Sequence, residues 1–250
     1  MSTYRIENCA GSAESARRAE LGGAYRVELC AGLPEGGTTP SYGEILTARR
    51  AISIKLNVII RPRSGDFLYT PIEVEAMLAD IRMARELGAD GIVVRCLTAD
   101  GAVDKPLLRR FVEAAEGLPV TFHRAIDVCQ DRAQALEDII EAGCARVLTS
   151  GGAASAPEGA DAIAALVKQA ADRIIIMPGA GVAPENVADL ARKTGAREFH
   201  FSGRTAEPSP MRYRHEGVSM GGTVTIDEYA YLFTDPKKIR QAVEALQALE

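Results

Sequence analysis

Val120-Thr121-Phe122-His123-Arg124-Ala125-Ile126-Asp127 is a short β-branched and aromatic run that ends in an imidazole, a guanidinium and, three residues on, a carboxylate. Pro119 precedes it, and a helical pattern opens near Asp131. A buried strand that ends in an acid/base group and a fixed cation is a natural seat for chemistry. On its own the stretch equally suits a core histidine, hydrogen-bonded in place, beside an ion-paired arginine. Several other strands of the chain end in the same way, and that favours the first reading.

Outward from this run, short apolar strands alternate with amphipathic helices along the whole chain. Strands are predicted near 4–9, 25–30, 55–61, 91–95, 119–123, 145–149, 173–178 and 197–201. Helices are predicted near 12–22, 41–51, 71–88, 104–116, 131–142, 158–172, 184–194 and 226–249, the last broken around Thr234-Asp235-Pro236. Gly88, Gly143 and Gly195 fall where helices should stop, and Pro71 and Pro184 fall near helix starts. Eight strand–helix units in 250 residues are the pattern of an α/β chain folded as a single (β/α)8 barrel, a TIM barrel. A doubly wound sheet would carry G-x-G-x-x-G after its first strand, and Cys9-Ala10-Gly11-Ser12-Ala13-Glu14 does not match. No linker divides residues 1–250, so one domain is expected, with a long loop at about 203–224 after the last strand.

Bulk properties exclude several partners. With 29 basic and 34 acidic residues the net charge is −5, which leaves no electrostatic footprint for nucleic acid or a membrane surface. No apolar run approaches the ~18 residues of a membrane-spanning helix. The start of the chain is charged and enters a strand pattern at once, so no signal peptide is expected. Five cysteines, odd in number and without CxxC, read as reduced thiols of a cytoplasmic protein.

Strand parity then sorts side chains. Tyr4, Ile6 and Asn8 oppose Arg5, Glu7 and Cys9, and Tyr25, Val27 and Leu29 oppose Arg26, Glu28 and Cys30. The aliphatic sets belong against helices, which points Glu7, Cys9, Glu28 and Cys30 into the lumen. The same rule turns Asn57 and Arg61 inward on strand three, His123 on strand five, and Glu198, His200 and Ser202 on strand eight. Glu7 and Glu28 are also candidates simply to balance a buried Arg61.

Carboxyl ends of barrel strands face the loops that build active sites. A cation cluster is expected there from Arg61, Arg63 and Arg124, beside carboxylates Glu7, Glu28, Asp66 and Asp127, and this suggests a small anionic ligand with an acid/base pair. Segment 207–222 is long for a βα loop and would serve either as a lid that adds Arg212 or as a homo-oligomer contact. Glycine clusters after the late strands, Ser150-Gly151, Gly179 to Gly181 and Ser202-Gly203, suit backbone cradling of phosphate or carboxylate, or merely tight turns. His123 is the candidate proton-transfer group, with Glu28 or Asp127 to orient it, Arg124 to hold the anion and His200 on a facing strand. Cys9 and Cys30 end adjacent strands with matching parity, so two thiolates can share a soft ion such as Cu(I), or both can sit as small buried hydrophobes. No HExxH or paired CxxC indicates zinc, and no organic cofactor is indicated.

Six motifs, Arg26-Val27-Glu28-Leu29-Cys30, Gly36-Gly37-Thr38-Thr39-Pro40-Ser41, Ile60-Arg61-Pro62-Arg63-Ser64-Gly65-Asp66-Phe67, the opening stretch from Thr121, Arg146-Val147-Leu148-Thr149-Ser150-Gly151-Gly152 and Ser209-Pro210-Met211-Arg212-Tyr213-Arg214, resemble the CutC family of copper homeostasis proteins. The resemblance runs from about Arg5 to past Tyr229. It implies a cytoplasmic TIM barrel that binds copper and confers copper tolerance, with Cys9 and Cys30 as the proposed Cu(I) ligands. Two positions depart from the usual pattern: Asn8 stands where an apolar residue is more common, and Ser64 where glycine is. Two functional classes therefore remain open, a copper-binding homeostasis protein and an enzyme acting on a small anionic metabolite such as a sugar phosphate.

Overall fold

In the computed structural model, which describes residues 3–215, 217–218, 220 and 226–250, eight parallel strands alternate with helices. The strands are β1 (Arg5–Ala10), β2 (Arg26–Leu29), β3 (Lys55–Ile59), β4 (Gly91–Val94), β5 (Val120–Phe122), β6 (Arg146–Thr149), β7 (Ile175–Pro178) and β8 (Glu198–Phe201). Their ladder runs β7-β6-β5-β4-β3-β2-β1-β8, and β7 lies beside β8 to bring the two ends together. The expected (β/α)8 TIM barrel is present.

Helices α1 (Ala13–Leu21), α2 (Tyr42–Ala51), α3 (Pro71–Glu86), α4 (Lys105–Ala114), α5 (Arg132–Glu141), α6 (Ala160–Ala170) and α7 (Val187–Thr194) follow β1 to β7 in turn, and α8 (Pro236–Gln247) closes the ring. Side chains start most of them. Ser12, Ser41, Asp104, Asp131 and Asp235 each accept an N–H of the first turn, and Thr70 with Glu73 forms a reciprocal capping box. Each helix buries one stripe. In α4 it is Leu107, Leu108 and Phe111, worth roughly 1.5–3 kcal/mol per large side chain removed from water. The alternate strand residues Ile6, Val27, Leu29, Leu56, Val58, Ile60, Ile92, Val94, Phe199 and Phe201 join the same outer core.

The last part of the chain departs from expectation. Residues 226–234 were expected to begin a helix and 203–224 to be loop. Instead β9 (Arg204–Pro208) and β10 (Ala230–Thr234) pair antiparallel, with Arg204 opposite Thr234. Tyr231, Leu232 and Phe233 are apolar in a run too short to separate helix from strand by periodicity, and the non-local partner decides. Within the 203–224 loop as expected, positions 216, 219 and 221–224 lie outside the described residues.

One layer of the lumen is ion-paired, while Ile59 and Val93 pack against Cys30 in another. Arg26 bridges Glu7 and Glu198 at 2.5 Å each, Arg146 holds Glu198 at 2.7 Å and reaches Thr121 Oγ1 at 3.2 Å, and Asn57 donates to Glu7 at 3.5 Å. Two carboxylates and two guanidiniums thus compensate one another in a layer where an unpaired charge would be costly. The parity that turned Glu7 and Glu28 inward holds, but the cation facing Glu7 is Arg26, not Arg61. Asn8, on the outer face of β1, donates to the carbonyls of Phe201 and Ser202 at 2.9 Å and accepts from Thr234 Oγ1 at 3.0 Å. Its polarity ties the end of β8 and the hairpin to β1.

Candidate functional site

Above this layer the strand ends enclose a cavity of about 280 Å³. Cys9, Glu28, Cys30, His123 and His200 line it, with Leu33, Ile59, Leu148 and Val182 as apolar wall, Arg124 just past β5, and Ser202 and Arg204 just past β8. Register explains the convergence: Cys9 lies opposite Glu28 across the β1–β2 ladder, Glu7 lies opposite His200 across β1–β8, and Cys30 follows β2 immediately.

The ligand atoms of Cys9, Glu28 and Cys30 lie within 4.8 Å of one another. Cys30 Sγ contacts Glu28 Oε2 at 3.4 Å. The Cys30 hydrogen bond, helped by His200 and working against burial, holds the Cys9 thiol well below its ordinary value. The same contact with Cys9, together with burial, pushes Cys30 well above it. Of the two thiols, Cys9 therefore gives up its proton more readily than Cys30.

The two histidines differ. His200 Nδ1 pairs with Glu7 Oε1 at 2.8 Å. Burial opposes its charge, but Cys9, Glu28 and Glu7 outweigh that and raise it well above the usual imidazole range. Burial lowers His123 well below that range, and Arg95, His200 and Arg124 add to the effect. Burial also raises the Glu28 carboxyl to about 8, with His200 opposing. Glu28 stands between the rings, 3.6 Å from His123 Nε2 and 3.7 Å from His200 Nε2. Among the described residues, neither its Oε1 nor His123 Nδ1 has a hydrogen-bond partner, and both are buried. A neutral imidazole beside a carboxyl that titrates near neutrality is an acid/base pair in reach of the cavity.

The other expected site residues are distributed unevenly. Asp127 does not face the cavity's histidines. Its carboxylate accepts from the N–H groups of Ser150 and Gly152, from the Thr149 and Ser150 hydroxyls and from Arg124 Nε at 2.8 Å. The loop holding Ser150 and Gly151 thus already has an anion, supplied by the chain. Gly151, at φ 74°, is required there because a Cβ would lie 2.4 Å from the Gly159 carbonyl oxygen. Gly181 and Ser202 line the cavity. Gly179 backs it, since a Cβ would meet Leu148 at 2.5 Å and His200 at 3.2 Å. Gly203 packs under Phe201 and Ile239.

The expected arginine cluster does not form around the cavity. Arg61 donates to the carbonyls of Glu35, Gly37 and Gly65 at 2.9, 3.1 and 2.8 Å. Arg63 pairs with Asp66 and Glu73 at the surface, and Arg212 lies exposed beyond β9. Arg95 escaped the sequence reading. It is buried, and its guanidinium and that of Arg61 both approach the Phe67 ring, at 5.4 and 5.5 Å from the centroid. Burial and Arg61 bring it down to about 10, which leaves it a cation. The signal was available, because strand four ends in arginine one step past its last apolar residue, as strand three does.

Comparison with known proteins settles the family. The CutC family model matches residues 4–205. A CutC family protein of Bacteroides thetaiotaomicron is 55% identical over 99% of this chain and 100% of its own length. The chain belongs to the CutC family. A human relative named copper homeostasis protein cutC homolog is 46% identical over 95% of this chain and 87% of its own. A crystal structure of CutC from Streptococcus agalactiae, named for copper homeostasis, superposes with a TM-score of 0.77 at 35% identity, covering 80% of this chain and 98% of that one. Thiamine phosphate pyrophosphorylase from Pyrococcus furiosus, at 12% identity and a TM-score of 0.62 over 99% of this chain and 98% of its own, shares the barrel fold alone.

Of the two departures from the family pattern, Asn8 has a structural reason in its clasp on β8 and β10. Ser64 is exposed and offers Arg63 only its carbonyl, at 3.0 Å.

Proposed function

We propose that this CutC family member is a copper homeostasis protein that takes Cu(I) as its cargo between Cys9 and Cys30, with Glu28 at hand as a third donor. The observation that carries the reading is the approach of these three ligand atoms within 4.8 Å. Two bonds of the roughly 2.3 Å that a first-row ion makes to sulfur span such a gap with little movement. Soft thiolates suit Cu(I), and the lowering of the Cys9 thiol favours the thiolate that binds it. All five cysteines are free, which supports a reducing, cytoplasmic setting. The test is competition for Cu(I) against a chromogenic chelator under anaerobic conditions. Cys9→Ser and Cys30→Ser should each weaken binding by roughly a hundredfold or more. A Cys30→Ser variant that holds Cu(I) as tightly as the parent would place any site elsewhere.

A second reading draws on a separate observation, the unpartnered Glu28 Oε1 and His123 Nδ1 beside the cavity. In it the barrel mouth performs acid/base chemistry on a small anionic metabolite, with His123 as base and Glu28 as acid. His123→Asn should then abolish turnover of an identified substrate while leaving the fold intact; loss of stability with turnover retained would sink it.

A further inference from the structure

The three glycine loops after the late strands are not equivalent as anion cradles. The loop after β6 is filled by Asp127. At the turn after β8, Gly203 packs under Phe201 and Ile239 and its carbonyl takes the Asp235 N–H at 2.9 Å, so of its two residues Ser202 alone lines the cavity. The loop after β7 is different. Ala180 and Gly181 both adopt positive φ, 73° and 70°, and a left-handed conformation at a non-glycine residue is a strained one that clusters at functional sites. The Ala180 carbonyl is spoken for by the Ala156 N–H at 2.8 Å. The N–H groups of Ala180, Gly181 and Val182 donate to no acceptor among the described residues, and all three residues line the cavity.

Arg204 lines the cavity from the start of β9. Among the described residues no carboxylate pairs with its guanidinium, whereas the other arginine on the cavity wall, Arg124, is held by Asp127. Ser202 lies beside Arg204. Across the cavity stands Glu28, 1% exposed, with Oε1 unpartnered.

We infer that the β7–β8 side of the cavity binds the phosphate of a small phosphomonoester through Arg204, the N–H groups of Ala180, Gly181 and Val182, and the Ser202 hydroxyl, with the organic part directed at Glu28 and His123. Three backbone donors and a guanidinium match the three terminal oxygens of a phosphate better than the two of a carboxylate. The volume, small beside ordinary ligand pockets, suits an organic part of roughly three to six carbons. The inference deepens the acid/base reading of this cavity by naming its substrate class, and it does not depend on copper.

The experiment uses copper-free full-length protein and three probes: inorganic phosphate, D-ribose 5-phosphate and D-ribose. Calorimetry should show both phosphates binding in competition and ribose not binding. Arg204→Ala should weaken both phosphates by roughly tenfold to a hundredfold. Glu28→Gln should weaken ribose 5-phosphate and leave inorganic phosphate unchanged. In the parent, the backbone amide signals of Ala180, Gly181 and Val182 should shift on adding phosphate, a readout that needs no variant. No binding of either phosphate up to about 10 mM, equal binding by Arg204→Ala, or amide shifts confined to other loops would overturn the inference. Phosphate binding without turnover of any phosphomonoester would uphold the site and remove only the enzyme reading.

Discussion

The floor of the lumen and its mouth contain the same kinds of residue and treat them in opposite ways. On the floor, Glu7, Arg26, Arg146 and Glu198 pair off at 2.5–2.7 Å. At the mouth, a carboxyl and an imidazole sit 3.6 Å apart with unpartnered atoms on each. Both regions are buried, so the difference is not one of solvent access. A compensated buried layer holds the barrel in register, whereas an uncompensated one costs stability that only a ligand returns.

The largest expected effect breaks the floor. Arg26→Met removes one cation and leaves Glu7 and Glu198 facing each other. Urea unfolding should report a loss of roughly 3–5 kcal/mol. A loss below about 1 kcal/mol would mean that the floor is no more critical than a surface ion pair, and the contrast would collapse.

The mouth should respond the other way. Burial raises the Glu28 carboxyl from 4.5 to about 8. Between those values the native protein binds a proton that the unfolded chain releases, so stability falls as pH rises through the window. In metal-free protein, the parent should lose a few kcal/mol relative to Glu28→Gln between about pH 5 and 8, at ~1.36 kcal/mol per unit. Parallel pH–stability curves for parent and variant would show that Glu28 has a partner after all.

A smaller effect tests the boundary between the regions. Asp127→Asn keeps the shape of the internal anion but removes its charge from Arg124 and the Ser150 and Gly152 N–H groups. A loss of roughly 1–3 kcal/mol is expected, with Cu(I) affinity at Cys9 and Cys30 unchanged. A change in Cu(I) affinity would join Asp127 to the mouth rather than to its supporting wall.

Much of this contrast could be read from residue order. Alternation along the first strand is enough to send Glu7 and Cys9 inward and Ile6 and Asn8 outward, and the matched endings of strands one and two bring Cys9 beside Cys30. These are local properties of a pleated strand. Partner choice was not legible. Nothing local in Arg61 says that three loop carbonyls, rather than Glu7, will accept its hydrogen bonds. Nothing in Asp127 says that it will fill a loop more than twenty residues away. The hairpin failed for the same reason: residues 230–234 extend only because 204–208 are there to pair with them.

Asn8 has a mechanical consequence. It sits on the outer face of β1, one residue before Cys9 on the inner face, and its amide grips the Phe201 and Ser202 carbonyls just before Arg204. The same side chain accepts from Thr234 in the hairpin. The thiol wall and the guanidinium wall of the cavity are thereby geared to one pin. An apolar residue at position 8 would forfeit all three of these hydrogen bonds and leave the two walls joined only through the β1–β8 ladder.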